Sequence, residues 1–212
     1  MLAKCKQAFW VALHTCYNHA TKNRQMNKII KEAVEVLRNG GIILYPTDTI
    51  WGIGCDATNP DAVKKVYALK QREDTNSMLV LIENPRFLNT YLHEVPEVAW
   101  DLIDVSEKPL TIIYPKAKNL APNLLPKDGS IGIRLVNHAF CEKLLQAFRK
   151  PIVSTSANIS GSTHPKSFND IDGQIINGVD FVVPEVYDER KNTSPSSIIK
   201  LGVGGQVKII RE

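Results

Sequence analysis

Five short stretches carry side chains that could do chemistry. Thr47-Asp48-Thr49 packs three polar groups into one turn directly after an apolar run and Pro46. Lys70-Gln71-Arg72, with Asn76 and Ser77 behind it, sets two cations and an amide ahead of a second apolar run. Arg134 is the charged residue in the alternating segment Ser130-Ile131-Gly132-Ile133-Arg134-Leu135. Ser154-Thr155-Ser156-Ala157-Asn158-Ile159-Ser160-Gly161 crowds hydroxyls and an amide into one loop, and Ser194-Pro195-Ser196-Ser197 repeats the theme near the end. Hydroxyls, amides, Lys and Arg bind phosphate and carboxylate: Arg offers a planar fork and Lys a point charge. Charge-assisted hydrogen bonds contribute about 1.5–3 kcal/mol each. Two or three therefore reach the roughly 8 kcal/mol of micromolar nucleotide binding.

Each stretch also has a plainer account. Cations favour helix C-termini for dipole reasons alone. Ser, Thr and Asn cap helices and build turns. Arg134 could sit at a strand end facing water, although a charge inside an apolar strand should be paired or face a ligand.

Several chemistries lack their signatures. There is no G-x-S-x-G elbow, and the histidines at 14, 19, 93, 138 and 164 form no pattern of a hydrolase. Neither a Walker A loop nor a dinucleotide fingerprint is present, since Gly52-Ile53-Gly54 lacks a third glycine at the needed spacing. Cys5, Cys16, Cys55 and Cys141 are scattered without zinc spacing, and a chain of 212 residues needs no disulfides. A reducing cytoplasm is the expected compartment. No apolar run approaches the ~20 residues of a membrane span. The net charge of +4 suits an anionic ligand such as a nucleotide or RNA without requiring one.

The elements that must position these residues follow from hydrophobic period. Ile29, Ile30, Ala33, Val34 and Leu37 predict a helix that Gly40-Gly41 ends. Ile42-Ile43-Leu44-Tyr45 predicts a buried strand stopped by Pro46, with Gly52 and Gly54 in the loop beyond it. Asn59-Pro60-Asp61 opens a helix running to Lys70. Strands are predicted at 78–82, 110–114, 130–135, 151–153, 181–183, 197–201 and 207–210. Short helices are predicted at 85–91 and 96–105, a longer one at 139–149, and a loop over 120–129. Strands interleaved with helices predict an α/β fold, an open twisted mixed β-sheet flanked by helices. A buried strand ending in polar and glycine residues is where such a sheet places a ligand. Residues 1–25 differ in composition, with no acidic residue before Glu32. They read as a dispensable extension before a single domain over 26–212.

Together the motifs resemble the YrdC/Sua5/YciO family, the threonylcarbamoyl-AMP synthases. The matching stretches are Tyr45-Pro46-Thr47-Asp48-Thr49 with Trp51-Gly52-Ile53-Gly54-Cys55-Asp56-Ala57, Lys70-Gln71-Arg72, Ile131-Gly132-Ile133-Arg134, Ser154 to Gly161, and Pro195-Ser196-Ser197-Ile198-Ile199. They occur in family order over 26–212. The resemblance implies the YrdC-like fold and synthesis of L-threonylcarbamoyladenylate and pyrophosphate from L-threonine, bicarbonate or CO2, and ATP. It implies Mg²⁺ on the phosphates and no covalent nucleophile. The product would pass to a tRNA-threonylcarbamoyl transferase complex that makes N6-threonylcarbamoyladenosine. By resemblance, Thr49, Arg134, Ser154 and Ser196 contact threonine, with Arg134 on its carboxylate. Lys70, Arg72, Asn76, Ser130, Ser156, Asn158 and Arg211 serve ATP, and Thr111 lines the pocket. The chain departs from the pattern after Arg72, where the family's prolines are replaced and Asn76-Ser77 precedes the strand.

The competing expectation is a module of the same fold that binds tRNA or double-stranded RNA without synthesis. RNA binding calls for a stronger basic balance than +4 and exposed stacking aromatics, and does not call for small hydroxyls at strand ends.

Overall fold

The computed structural model describes residues 22–71, 78–190, 194–202 and 206–212. Residues 1–21, most of the expected extension, lie outside the described residues, as do Arg72 and Asn76.

The first helix, α1, covers 22–38, reaching four residues beyond the boundary expected at Met26, whose side chain is buried. Its apolar stripe is the one the spacing predicts: Ile30, Ala33, Val34 and Leu37 are all buried. Then follow β1 (Ile43–Tyr45), β2 (Gly52–Gly54) and α2 (Pro60–Leu69). Asn59 caps α2 by accepting from the N–H groups of Asp61 and Ala62. Next come β3 (Leu79–Ile82), α3 (Leu88–Tyr91), α4 (Glu97–Asp104), β4 (Leu110–Tyr114), β5 (Ile131–Leu135) and α5 (Ala139–Phe148). The chain closes with β6 (Ile152–Ser156), α6 (Gly173–Gly178), β7 (Phe181–Val182), β8 (Ser197–Leu201) and β9 (Val207–Arg211).

Among the described residues these strands form one mixed sheet in the order β7-β1-β2-β6-β3-β5-β4-β8-β9. The pairs β1/β7, β3/β5 and β4/β8 are parallel and the other five antiparallel. Strand alternation sends neighbouring side chains to opposite faces. Leu44, Ile53, Val80 and Ile82 pack with α2, α3, α4 and α6 on one face. Ile43, Tyr45, Leu81 and Ile152 pack with α1 and α5 on the other. Arg134 pairs with Leu81 and with Thr111 across the strands.

Two elements differ from the sequence expectation. Gly52-Ile53-Gly54 is a strand, hydrogen-bonded between β1 and β6, and no loop. The glycines are needed for close approach. A Cβ on Gly54 would lie 2.7 Å from Tyr45 Cε1 and 2.9 Å from the Val153 carbonyl oxygen. Likewise β6 continues through Ser154 and Ser156, which pair with Leu79 and Gly52. Strand pairing on both edges overrides the turn preference of the hydroxyl residues. The six residues between β1 and β2, Pro46 to Trp51, are therefore a hairpin loop poised over the end of β6.

Candidate active site

A cavity of about 220 Å³ opens where this hairpin loop meets β5, β6, β8 and β9. Thr47, Thr49, Arg134, Ser154, Ser156, Ser196 and Arg211 line it, with His164. Local hydrogen bonds fix the loop. The Thr47 hydroxyl donates to the Ile50 carbonyl at 2.7 Å and accepts from the Thr49 N–H at 3.2 Å. The Thr47 and Thr49 hydroxyl oxygens lie 3.1 Å apart. A single turn thus presents two hydroxyls to the cavity, the ST-turn chemistry expected of threonine.

Arg134 is the charge at the centre. Its side chain is 4% exposed and lies 3.0 Å from Asp48, itself 5% exposed. Its Nε has no hydrogen-bond partner among the described residues. A guanidinium with an unfilled donor beside a hydroxyl-lined cavity is a ready carboxylate site. Opposite it, the Thr111 and Ser196 hydroxyl oxygens are 2.8 Å apart, and Arg211 donates through Nε and Nη2 to the Ser196 carbonyl at 2.9 and 2.7 Å. Burial, then the field of Arg134, lowers the Arg211 pKa. Burial and the neighbouring Arg211 and Lys70 charges hold His164 below the ordinary histidine range.

Of the residues singled out from the sequence, Thr49, Arg134, Ser154, Ser156, Ser196 and Arg211 come together. Three others are placed differently. Lys70 is 1% exposed and donates to the carbonyls of Ser156 and Asn158, the latter at 2.6 Å. Asn158 donates to the Ile159 and Ser162 carbonyls, closing its own loop. Ser130 is buried outside the lining and donates to Asp128 at 2.6 Å. That bond, then Lys200, draws the Asp128 carboxyl down to about 2. Thr111 is buried with its hydroxyl at Ser196, one strand from the cavity.

A strap over the loop is absent from the sequence reading. Asp188 accepts from Trp51 Nε1 at 2.9 Å and from Arg190 Nε and Nη2, both at 2.6 Å. Arg190 also donates to the carbonyls of Thr49 and Lys166. One guanidinium, 4% exposed, thereby ties Asp188 to the segments that carry Thr49 and Lys166. Asp188 and Arg190 are 137 to 141 residues from their partners in the loop, and their one sequence sign is the D-x-R spacing. Burial raises the Asp188 pKa, but the Arg190 and Trp51 hydrogen bonds outweigh it and the net shift is downward. We expect Arg190→Ala to lose about 2–3 kcal/mol in urea unfolding, because Asp188 is left largely unpaired. Arg190→Lys should recover less than half, having one donor head for two carboxylate oxygens and two carbonyls.

Among the described residues the lining contains no carboxylate, and no cluster of three potential metal ligands occurs. Among the described residues no helix is long and apolar enough to cross a membrane.

Comparison with known proteins places this geometry. Residues 35–212 match the Sua5/YciO/YrdC domain family, described as "Telomere recombination". A threonylcarbamoyl-AMP synthase of Pseudoalteromonas translucida is 33% identical over 84% of this chain and 95% of its own length. One of Photobacterium profundum is 33% identical over 69% and 80%. Escherichia coli YciO superposes with a TM-score of 0.75 at 28% identity, covering 87% of this chain and 89% of YciO. P. abyssi Sua5 complexed with L-threonine superposes with a TM-score of 0.75 at 26% identity, covering 81% of this chain. This chain spans about half the length of that Sua5. With the family matched across most of its length and the sheet shared with two of its solved members, the chain belongs to the Sua5/YciO/YrdC family.

Proposed function

We propose that this chain is an L-threonylcarbamoyladenylate synthase, using L-threonine, CO2 or bicarbonate, and MgATP. The observation that carries the reading is Arg134, a buried guanidinium with a free Nε at a cavity of small hydroxyls. Threonine's carboxylate takes the Arg134 fork, and its amine and hydroxyl meet Thr49, Ser154 and Ser196. Threonine leaves its ammonium proton in solvent, the free amine attacks CO2, and the N–C bond forms as one C=O π bond opens onto oxygen. His164 in the lining takes the second proton from that nitrogen, and the threonylcarbamate carries its negative charge on the oxygens.

A carbamate oxygen then attacks the α-phosphorus of ATP while the bond to the bridging oxygen breaks and pyrophosphate leaves. Such a displacement needs alignment and charge neutralisation more than a covalent nucleophile. Ser156 and Arg211 supply these from the described chain, and Arg72 and Asn76 by family resemblance. A carbamate survives only where water is excluded, which the strapped hairpin loop favours. The product, an activated acyl adenylate, suits a tRNA-modifying acceptor complex, and the cytoplasm is the compartment proposed with it. RNA binding alone would leave the free Arg134 donor and the convergent hydroxyls without a task.

The test is pyrophosphate release by the purified full chain with ATP, threonine and bicarbonate, omitting each in turn. Release that requires all three, with an adenylate product by mass, is the expected result. ATP binding without release under any combination would overturn the reading.

A further inference from the structure

A larger cavity, about 500 Å³, lies on the sheet face opposite Arg134, within the size range of small-molecule sites. Ile133 and Leu135, which alternate with Arg134 along β5, line it together with Ile112 of β4. Leu88 of α3 and Ile103 of α4 face them. These walls are apolar. One end is not. His138, the residue before α5, is 6% exposed and lines the cavity. Neither Nδ1 nor Nε2 has a hydrogen-bond partner among the described residues. Two orphaned nitrogens on one buried ring are unusual, since buried polar groups are nearly always paired.

Burial lowers the His138 pKa against the pull of Asp48, Asp188 and Glu189, and Arg190 adds to the lowering. The ring is neutral at pH 7 and offers one N–H and one acceptor nitrogen. Its missing partner must therefore both accept and donate. That partner should not be an anion. Three carboxylates, Asp48, Glu107 and Glu189, face the cavity against two cations, Lys108 and Arg190, and Arg190 is committed to Asp188.

We propose that this cavity is a second small-molecule site, for an uncharged amphipath with an apolar body against the sheet and an amide-like head at His138. Asp48 belongs to the wall of this cavity and pairs with Arg134, which lines the first one. An occupant that engages the His138 end changes the field and position of Asp48, and so is felt at the threonine carboxylate site. The two cavities are coupled through one ion pair.

Benzamide is a suitable probe, with an aromatic body and a head that donates and accepts; benzoate has the same shape and a negative charge. The full chain, labelled with ¹³C at histidine ε1, is titrated with each. Benzamide should move the His138 resonance saturably with a Kd on the order of 1 mM, as befits so small a ligand, and benzoate should bind at least tenfold more weakly. His138→Leu identifies the resonance and should abolish benzamide binding without lowering the thermal midpoint, because it removes two unpaired polar atoms. Ile103→Trp, which fills the cavity from α4, should block the shift in a chain that keeps His138. Saturating benzamide should change the threonine Kd about fivefold. An unmoved resonance, as for a cavity that holds only water, or equal binding of benzoate overturns the site. An unchanged threonine Kd overturns the coupling. The resonance reports the site whatever the substrate is, whereas the threonine titration rests on the function proposed above.

Discussion

Arg134→Ala should abolish threonine-dependent pyrophosphate release and also weaken the fold, for separable reasons. The guanidinium is the proposed carboxylate partner, and a charge-assisted contact contributes about 1.5–3 kcal/mol. Losing a two-pronged one should lower kcat/KM for threonine at least about 10²-fold. The KM for ATP should change far less, since the phosphates are assigned to other residues. Stability falls because Asp48 remains buried with its counter-charge gone. Removing one partner of a buried pair costs about 3–5 kcal/mol. The double variant Asp48→Ala/Arg134→Ala separates the two roles. It should recover most of the lost stability, as no uncompensated charge remains, and none of the threonine activity. Urea unfolding and steady-state kinetics on the three variants decide it. If the double variant regains activity, Arg134 serves the fold and not the substrate.

The elements with strong hydrophobic period were legible in the sequence. The stripe of α1 and the buried runs of β3, β4 and β5 sit where spacing placed them. What stayed hidden was set by partners far away. Gly52-Ile53-Gly54 has no side-chain alternation to reveal a strand, and its assignment depends on β1 and β6. Ser154 to Ser156 reads as a hydroxyl-rich turn until Gly52, Ile53 and Leu79 are seen across the ladder. α6 begins and ends in glycine; Ile175 is its one fully buried residue, and Ile176 packs against the core half-buried.

The site divides in the same way. Residue types that face a ligand were identifiable because their chemistry points outward: Thr49, Arg134, Ser154, Ser156, Ser196 and Arg211 converge on one cavity. Residues that hold those groups in place were not. Arg190 looks like any surface arginine in sequence, yet it adds a long-range donor to the Thr49 carbonyl beside the loop's own hydrogen bonds. His164 reaches the cavity from a loop after β6, and the two cations that lower its pKa, Arg211 and Lys70, are brought near only by the fold. Conversely, Lys70 and Asn158 have ligand-like side chains, and the described structure engages both with backbone carbonyls of the loop after β6.

The placement of Lys70 leads to an expectation opposite to that for a simple phosphate contact. A lysine that only met ATP would be dispensable to the fold, and Lys70→Met would lower ATP affinity while leaving or raising stability, because a desolvated charge is removed. Here the ammonium is buried and joins the end of α2 to the Ser156 and Asn158 carbonyls. The Lys70 carbonyl in turn accepts from the Ser160 N–H. Lys70→Met keeps the apolar stem but leaves two inward carbonyls without this donor, at about 1–3 kcal/mol each. We therefore expect a loss of about 3 kcal/mol in urea unfolding. Amide exchange over 157–162 should speed up by more than the global change accounts for, since the loop loses its clamp. Ser156 borders that loop and lines the cavity, so threonine and ATP should both bind more weakly. A variant as stable as the native chain, with ATP affinity alone reduced, would assign Lys70 to the phosphates. It would also mean that the ammonium leaves its carbonyls when nucleotide enters.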